Sequence, residues 1–98
     1  MAALLVLKGT NPGQRIQLME DTIVLGRNPD CQVPIGGTAV SRNHAQILHI
    51  QGKYYIEDLK SRNGTWLNGT RIYHSQLAHG DRLRIGATDL LFEILFEG

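Results

Sequence analysis

No apolar run in this chain goes far before a turn-forming residue stops it. Short apolar and β-branched runs occupy 4–7, 15–18, 22–25, 45–50, 54–57, 82–85 and 89–96, and between them stand "NPG" at 11–13, "NPD" at 28–30, "GG" at 36–37, "QG" at 51–52 and "HGD" at 79–81. Gly allows positive φ, Pro fixes φ, and Asn or Asp bonds its own backbone, so each cluster reverses the chain rather than extending an element. No stretch of ten residues holds a 3.6-residue apolar period free of Gly or Pro. The pattern predicts strands and turns with no convincing helix, hence an all-β sandwich or barrel.

With 98 residues the chain has room for one domain with a modest core, which is expected to fill 1–98 without linker or repeat. A 42% hydrophobic and 19% charged composition suits a globular fold. Ten basic and nine acidic residues leave a net charge of +1, so any basic patch is local. General attraction to nucleic acid or a membrane surface is not expected. One cysteine, Cys31, forms no internal disulfide and no cysteine-rich zinc site; it suits a reducing compartment, the cytoplasm or a eukaryotic nucleus. The opening "MAALLVLKG" lacks a basic lead-in and turns polar at Lys8, as a first strand does and a signal peptide does not. "LLFEILF" is broken by Glu93 and is far below membrane-spanning length.

Alternation then places the polar motifs. In "TIVLGR", Ile23 and Leu25 share a face, and the strand runs directly into Gly26-Arg27, which sets Arg27 at a strand end. "HAQILHIQGKYYIEDL" reads as two antiparallel strands joined through Gln51-Gly52. Its far ends, 41–44 ("SRNH") and 58–62 ("DLKSR"), must then lie side by side. Beyond them come two Asn-Gly pairs, Asn63-Gly64 and Asn68-Gly69. Either is a strong hairpin signal, but the first continues a polar segment that the hairpin has brought against "SRNH".

Gly26-Arg27, then Ser41-Arg42-Asn43-His44, then Asp58, Ser61-Arg62-Asn63-Gly64-Thr65 and Asn68-Gly69 resemble the signature of the forkhead-associated (FHA) domain. Order and spacing match, and the surrounding strand pattern covers nearly the whole chain. The resemblance implies an eleven-stranded antiparallel β-sandwich of the SMAD/FHA type, with loops at one end that bind phosphothreonine in a partner protein. It further implies a module of a larger signalling protein, acting as a monomer in phosphorylation-dependent protein-protein interaction. By the same resemblance, Arg27, Ser41, Arg42, Arg62 and Asn63 contact the phosphopeptide. A guanidinium offers paired, charge-assisted bonds to phosphate, and the Asn63 amide offers a donor and an acceptor to the peptide backbone. Gly26, His44, Thr65 and Asn68 are assigned to shaping the loops, with Asn68-Gly69 itself a hairpin turn. Trp66, Tyr54 and Tyr55 are expected in the core or on a sheet face, and Cys31 as a small packed residue.

Other functions fit less well. Ser41, His44 and Asp58 supply the residue types of a hydrolase triad, but such a site also needs an oxyanion hole and a cleft. His44, His49, His74 and His79 lack metal-ligand spacing, so no metal or cofactor is expected. The loop cations Arg27, Arg42, Lys60 and Arg62 have no interleaved aromatics of the kind a single-strand binder uses. The closest rival is an FHA fold that docks a partner through a non-phosphorylated surface.

Overall fold

The computed structural model describes residues 1–95 and shows why the turn residues fall where they do. Among the described residues, eleven strands form two facing sheets. In the six-stranded sheet the order is β2 (Arg15–Leu18), β1 (Ala2–Lys8), β11 (Thr88–Ile94), β10 (Arg82–Ile85), β7 (Thr65–Leu67) and β8 (Thr70–Ile72). The five-stranded sheet runs β4 (Val33–Pro34), β3 (Thr22–Gly26), β5 (Ala45–Ile50), β6 (Lys53–Asp58) and β9 (His74–Leu77). Pairing is antiparallel except between β3 and β4, where two residues of each strand run parallel.

Alternation builds the core. In β10, Arg82 and Arg84 are exposed while Leu83 and Ile85 are fully buried. The same period buries Leu4 and Val6 of β1 and Leu90 and Phe92 of β11 against Ile23, Leu25, Ile47 and Ile56 of the other sheet. Each such side chain contributes about 1.5–3 kcal/mol of burial, which is what holds two twisted sheets face to face. Tyr54 joins this core, Tyr55 is half-buried, and Trp66 lies on a sheet face at 37% exposure.

The expected strands all form. β11 ends at Ile94, and Phe96, which the sequence pattern included, lies outside the described residues. Two strands carry no apolar signature. β4 is two residues ending in proline, and β9 ("HSQL") buries only Leu77 fully. β7 and β8 are the arms of the Asn68-Gly69 hairpin. Both turn residues have positive φ, 50° and 84°, as a two-residue turn of type I′ requires. Gln51 and Gly52, at 50° and 78°, close the β5–β6 hairpin in the same way. At the other end of that hairpin Ala45 pairs with Asp58, so 41–44 and 59–64 emerge together, beside the end of β3.

Candidate functional site

The site begins where β3 stops pairing as a strand and its neighbour does not let go. The N–H of His44 donates to Leu25 O at 2.8 Å, that of Arg27 to Ser41 O at 3.0 Å, and that of Asn28 to Arg42 O at 3.1 Å. These bonds carry the ladder past the sheet edge and lay 41–44 along 25–28. The approach is so close that a Cβ on Gly26 would stand 2.1 Å from Arg42 O. Only glycine fits there, which gives Gly26 a steric role in setting the loop.

His44 joins the two loops. It is fully buried, and its Nδ1 accepts the Ser41 N–H at 3.0 Å. The ring proton therefore sits on Nε2, which donates to Gly64 O at 2.7 Å. One ring thus ties 41 to 64, and this arrangement requires the neutral imidazole.

A second brace lies on Asp58. Its carboxylate accepts the Ser61 N–H at 3.0 Å, the Ser61 hydroxyl, and the Thr65 hydroxyl at 2.7 Å. The Ser61 oxygen in turn accepts the Gly64 N–H at 3.0 Å. Burial alone pushes the Asp58 carboxyl up, but the Ser61 and Thr65 side-chain bonds and the Ser61 backbone bond outweigh it and hold the group below its ordinary value. The 58–65 loop is thus wound around one carboxylate.

On this frame the outward groups converge. Arg27 Nε donates to Val40 O at 3.1 Å, which anchors the guanidinium and leaves its two terminal nitrogens facing out. Ser41 Oγ accepts the Arg62 N–H at 3.0 Å, so its own hydrogen is free to donate. Asn63 Nδ2 gives one hydrogen to Ala39 O at 3.0 Å and keeps the other, with Oδ1, for a ligand. Arg27, Ser41, Arg42, Arg62 and Asn63 all line one hollow of about 250 Å³, closed by Thr38, Ala39 and Val40.

The electrostatics favour an anion. Among the described residues the ion pairs are Arg15–Glu93, His49–Asp21 and Arg84–Asp89, and none involves Arg27, Arg42, Lys60 or Arg62. Four cations at one pole without a carboxylate within bonding distance form a local positive field despite the small net charge.

Geometry also separates residues that the sequence groups together. Thr65 braces the loop through Asp58, whereas the side-chain bonds of Asn68 go elsewhere. Its amide bonds Asp81 Oδ1 at 3.0 Å and accepts the Arg82 N–H at 2.9 Å. Asn68 thus shapes its own hairpin and the start of β10, and with Gly69 it borders a hollow that Ala39 and Asn63 also line. Ser41, His44 and Asp58 do not form a catalytic relay, because both His44 nitrogens are bonded to backbone and Asp58 is bonded to Ser61 and Thr65. Cys31 is buried with its thiol 3.4 Å from Arg42 O, and burial pushes that thiol up, away from thiolate reactivity. No three His, Cys, Asp or Glu among the described residues come together as a metal site.

Several contributors are not marked by the sequence pattern. Asp58 and Ser61 stand in the motif without an assigned role, although an Asp three residues before a Ser is a local turn signal. Ala39 and Val40 act through backbone carbonyls, which no side-chain pattern marks.

A two-sheet sandwich that gathers arginine, serine and asparagine in loops at one end defines a class of peptide-binding modules. The family model for the FHA domain matches residues 23–86, and the chain belongs to that family. It is 36% identical over 91 residues to an oxoglutarate dehydrogenase inhibitor of Corynebacterium jeikeium, covering 93% of this chain and 63% of that protein. It is likewise 36% identical to the glycogen accumulation regulator GarA of Mycolicibacterium smegmatis, covering 93% of this chain and 58% of that protein. The chain therefore spans less than two thirds of the length of these relatives. Among solved structures it superposes with a TM-score of 0.89 and 31% identity, over 98% of each chain, on one from a study of phosphothreonine-dependent FHA domain interactions. With the FhaA FHA domain, solved in complex with the intracellular domain of Rv3910, the TM-score is 0.86 at 31% identity, over 95% of this chain and all of that one.

Proposed function

We propose that this domain reads phosphothreonine in partner proteins and works by docking, without chemistry of its own. The observation that carries the reading is the convergence of Arg27, Ser41, Arg42, Arg62 and Asn63 on one hollow whose cations have no carboxylate partner. Phosphate takes the Arg27 and Arg42 guanidinium groups and the Ser41 hydroxyl, and the free donor and acceptor of Asn63 hold the peptide backbone. The FHA domains named above, studied with phosphothreonine-dependent or protein partners, support this reading. So do the bacterial regulators among the relatives, each longer than this chain, which support a targeting module within a larger regulator, here taken to act as a cytoplasmic monomer.

Threonine is distinguished from serine by one methyl group. Ala39, beside Ser41 and Asn63, offers an apolar surface for it. Burying that group contributes about 0.8 kcal/mol, close to fourfold. The stiffer χ1 of a β-branched residue adds to the preference, for about tenfold in total. Calorimetric titration of three matched peptides, carrying phosphothreonine, phosphoserine or plain threonine and drawn from a degenerate library screen, tests this. Tight binding of the first, about tenfold weaker binding of the second and none of the third is expected. Equal binding of the unphosphorylated peptide overturns the reading in favour of docking on another surface.

A further inference from the structure

The outward face of the six-stranded sheet holds a larger hollow that phosphate recognition does not explain. It measures about 740 Å³ and meets the phosphate hollow at Ala39 and Asn63, so the two make one continuous groove from the loops onto the sheet. Trp66, Arg82 and Arg84 line its sheet portion. Trp66 pairs with Arg84, and all three side chains point out because Leu83 and Ile85 point in. Trp66 is the sole tryptophan of the chain and is 37% exposed. A large aromatic left open on a sheet face is the kind of residue that anchors interfaces. Arg84 lies 3.8 Å from Asp89, whereas Arg82 has no carboxylate partner among the described residues.

We propose that the ligand held in the phosphate hollow continues along this groove, laying an apolar side chain on Trp66 and an acidic one at Arg82. The proposal rests on the phosphothreonine reading of the adjoining hollow. Asn63 borders both hollows, and the chain reaches Trp66 about 10 Å further on at about 3.3 Å per residue. Arg82 lies roughly 7 Å beyond Arg84 by the same rise. An extended peptide advances at that rate too, so these contacts fall about three to five residues beyond the one that Asn63 holds, which is about four to six from the phosphothreonine when that residue is its neighbour. The same molecule reaches both parts because the two hollows meet at Ala39 and Asn63, and a peptide tethered by its phosphate presents its next residues at high local concentration. The free Arg82 and the apolar ring select the chemistry of those residues.

The probe is a library of tryptophan-free phosphothreonine peptides with six random positions on each side. Selection for an apolar and an acidic residue four to six positions out, on one side, is expected. A selected peptide should shift Trp66 fluorescence, which no other residue of the pair can contribute. The same peptide cut to three residues on each side should bind about tenfold more weakly and leave the emission unmoved. Arg82→Glu, a change at an exposed site, should bring the long peptide down to the affinity of the short one, and Trp66→Ala should do the same if it folds. Phosphate-dependent binding with equal affinity for long and short peptides, or a silent Trp66 under the long one, overturns this proposal alone. Loss of phosphate dependence altogether overturns the reading beneath it as well.

Discussion

Asn63-Gly64 and Asn68-Gly69 are the same dipeptide, placed at the two ends of one short strand, and they do different work. In the second, both residues have positive φ and nothing crowds the turn, so the pair is a reversal and little else. In the first, only Gly64 has positive φ, at 96°, and its N–H and C=O are bonded to Ser61 and His44. Asn63 is left outside the reversal with its amide tied to Ala39 and three of its four hydrogen-bonding positions open. The difference comes from surroundings rather than from propensity. Where a buried histidine and a half-buried carboxylate take over the backbone, an Asn-Gly pair stops being a turn and becomes a presentation loop.

The contrast breaks most completely at the brace. His44→Ala leaves the Ser41 N–H and Gly64 O unpaired and opens a cavity in a fully buried site. Each orphaned group costs about 1–3 kcal/mol, so a loss of several kcal/mol in stability is expected, with phosphopeptide binding lost as well. Chemical denaturation together with calorimetry reads both. A variant with native stability and native affinity would show that the two loops hold without the histidine.

Arg27→Ala tests the hollow itself with the brace left in place. One charge-assisted bond contributes roughly 1.5–3 kcal/mol, and two terminal nitrogens are available, so affinity should fall at least about tenfold while the unfolding midpoint barely moves. The paired variants Asn63→Ala and Asn68→Ala sharpen the comparison directly. The first should lose about tenfold in affinity at nearly constant stability. The second should lose about 1–2 kcal/mol of stability, from its bonds to Asp81 and Arg82, at nearly constant affinity for a phosphopeptide too short to reach the sheet groove that Asn68 borders. Interchanged outcomes would mean that the turn, and not the loop, meets the ligand.

Acid gives a milder test that needs no mutation. The folded Asp58 value lies below the ordinary carboxylate value, so its contribution is fully present above about pH 4 and is lost as pH falls through the lowered folded value. The protection of the Ser61 and Gly64 amides relative to their intrinsic exchange rates, which depends on this network, should therefore fall on acidification before that of the Asn68-Gly69 turn does. Ligand binding should weaken earlier, from about pH 7.5 to 5.5, as a phosphothreonine loses its second ionisation near pH 6.

How much of this could be read from the chain depends on whether side chains or backbone carry it. The alternation in "RLRI" and "TIVLG" announces which residues form the core, and the Gln51-Gly52 hairpin brings 41–44 to 58–62. β9 and β4 escape notice because one is mostly polar and the other ends in proline, and both are held by neighbours rather than by pattern. In the site, Arg27, Ser41 and Asn63 are legible as donors and acceptors. The carbonyls of Ala39, Val40 and Gly64 that aim them are not, since every residue has one. Asn68 reads as a brace of the binding loops because it is near them in sequence; its side-chain bonds go instead to Asp81 and the Arg82 N–H.

The smallest expected effect isolates what is left of the comparison once side chains are set aside. Gly69 has φ of 84°, and a Cβ there would meet nothing within 4 Å, so Gly69→Ala incurs only the intrinsic cost of that backbone region, about 1–2 kcal/mol. Gly64 has a similar φ, but a Cβ there would stand 2.7 Å from Arg71 Nε. That atom sits on a flexible side chain that can swing aside, so Gly64→Ala should cost little more in sterics. Its added penalty arises because the strained residue also carries the bonds to His44 and Ser61. Thermal unfolding of the two variants should therefore differ only modestly, while titration with a phosphopeptide too short to reach the sheet groove should separate them, with native affinity for Gly69→Ala and weakened affinity for Gly64→Ala. Equal affinities would show that Gly64 is a turn residue like its twin, and that Asn63 is positioned by Ala39 alone.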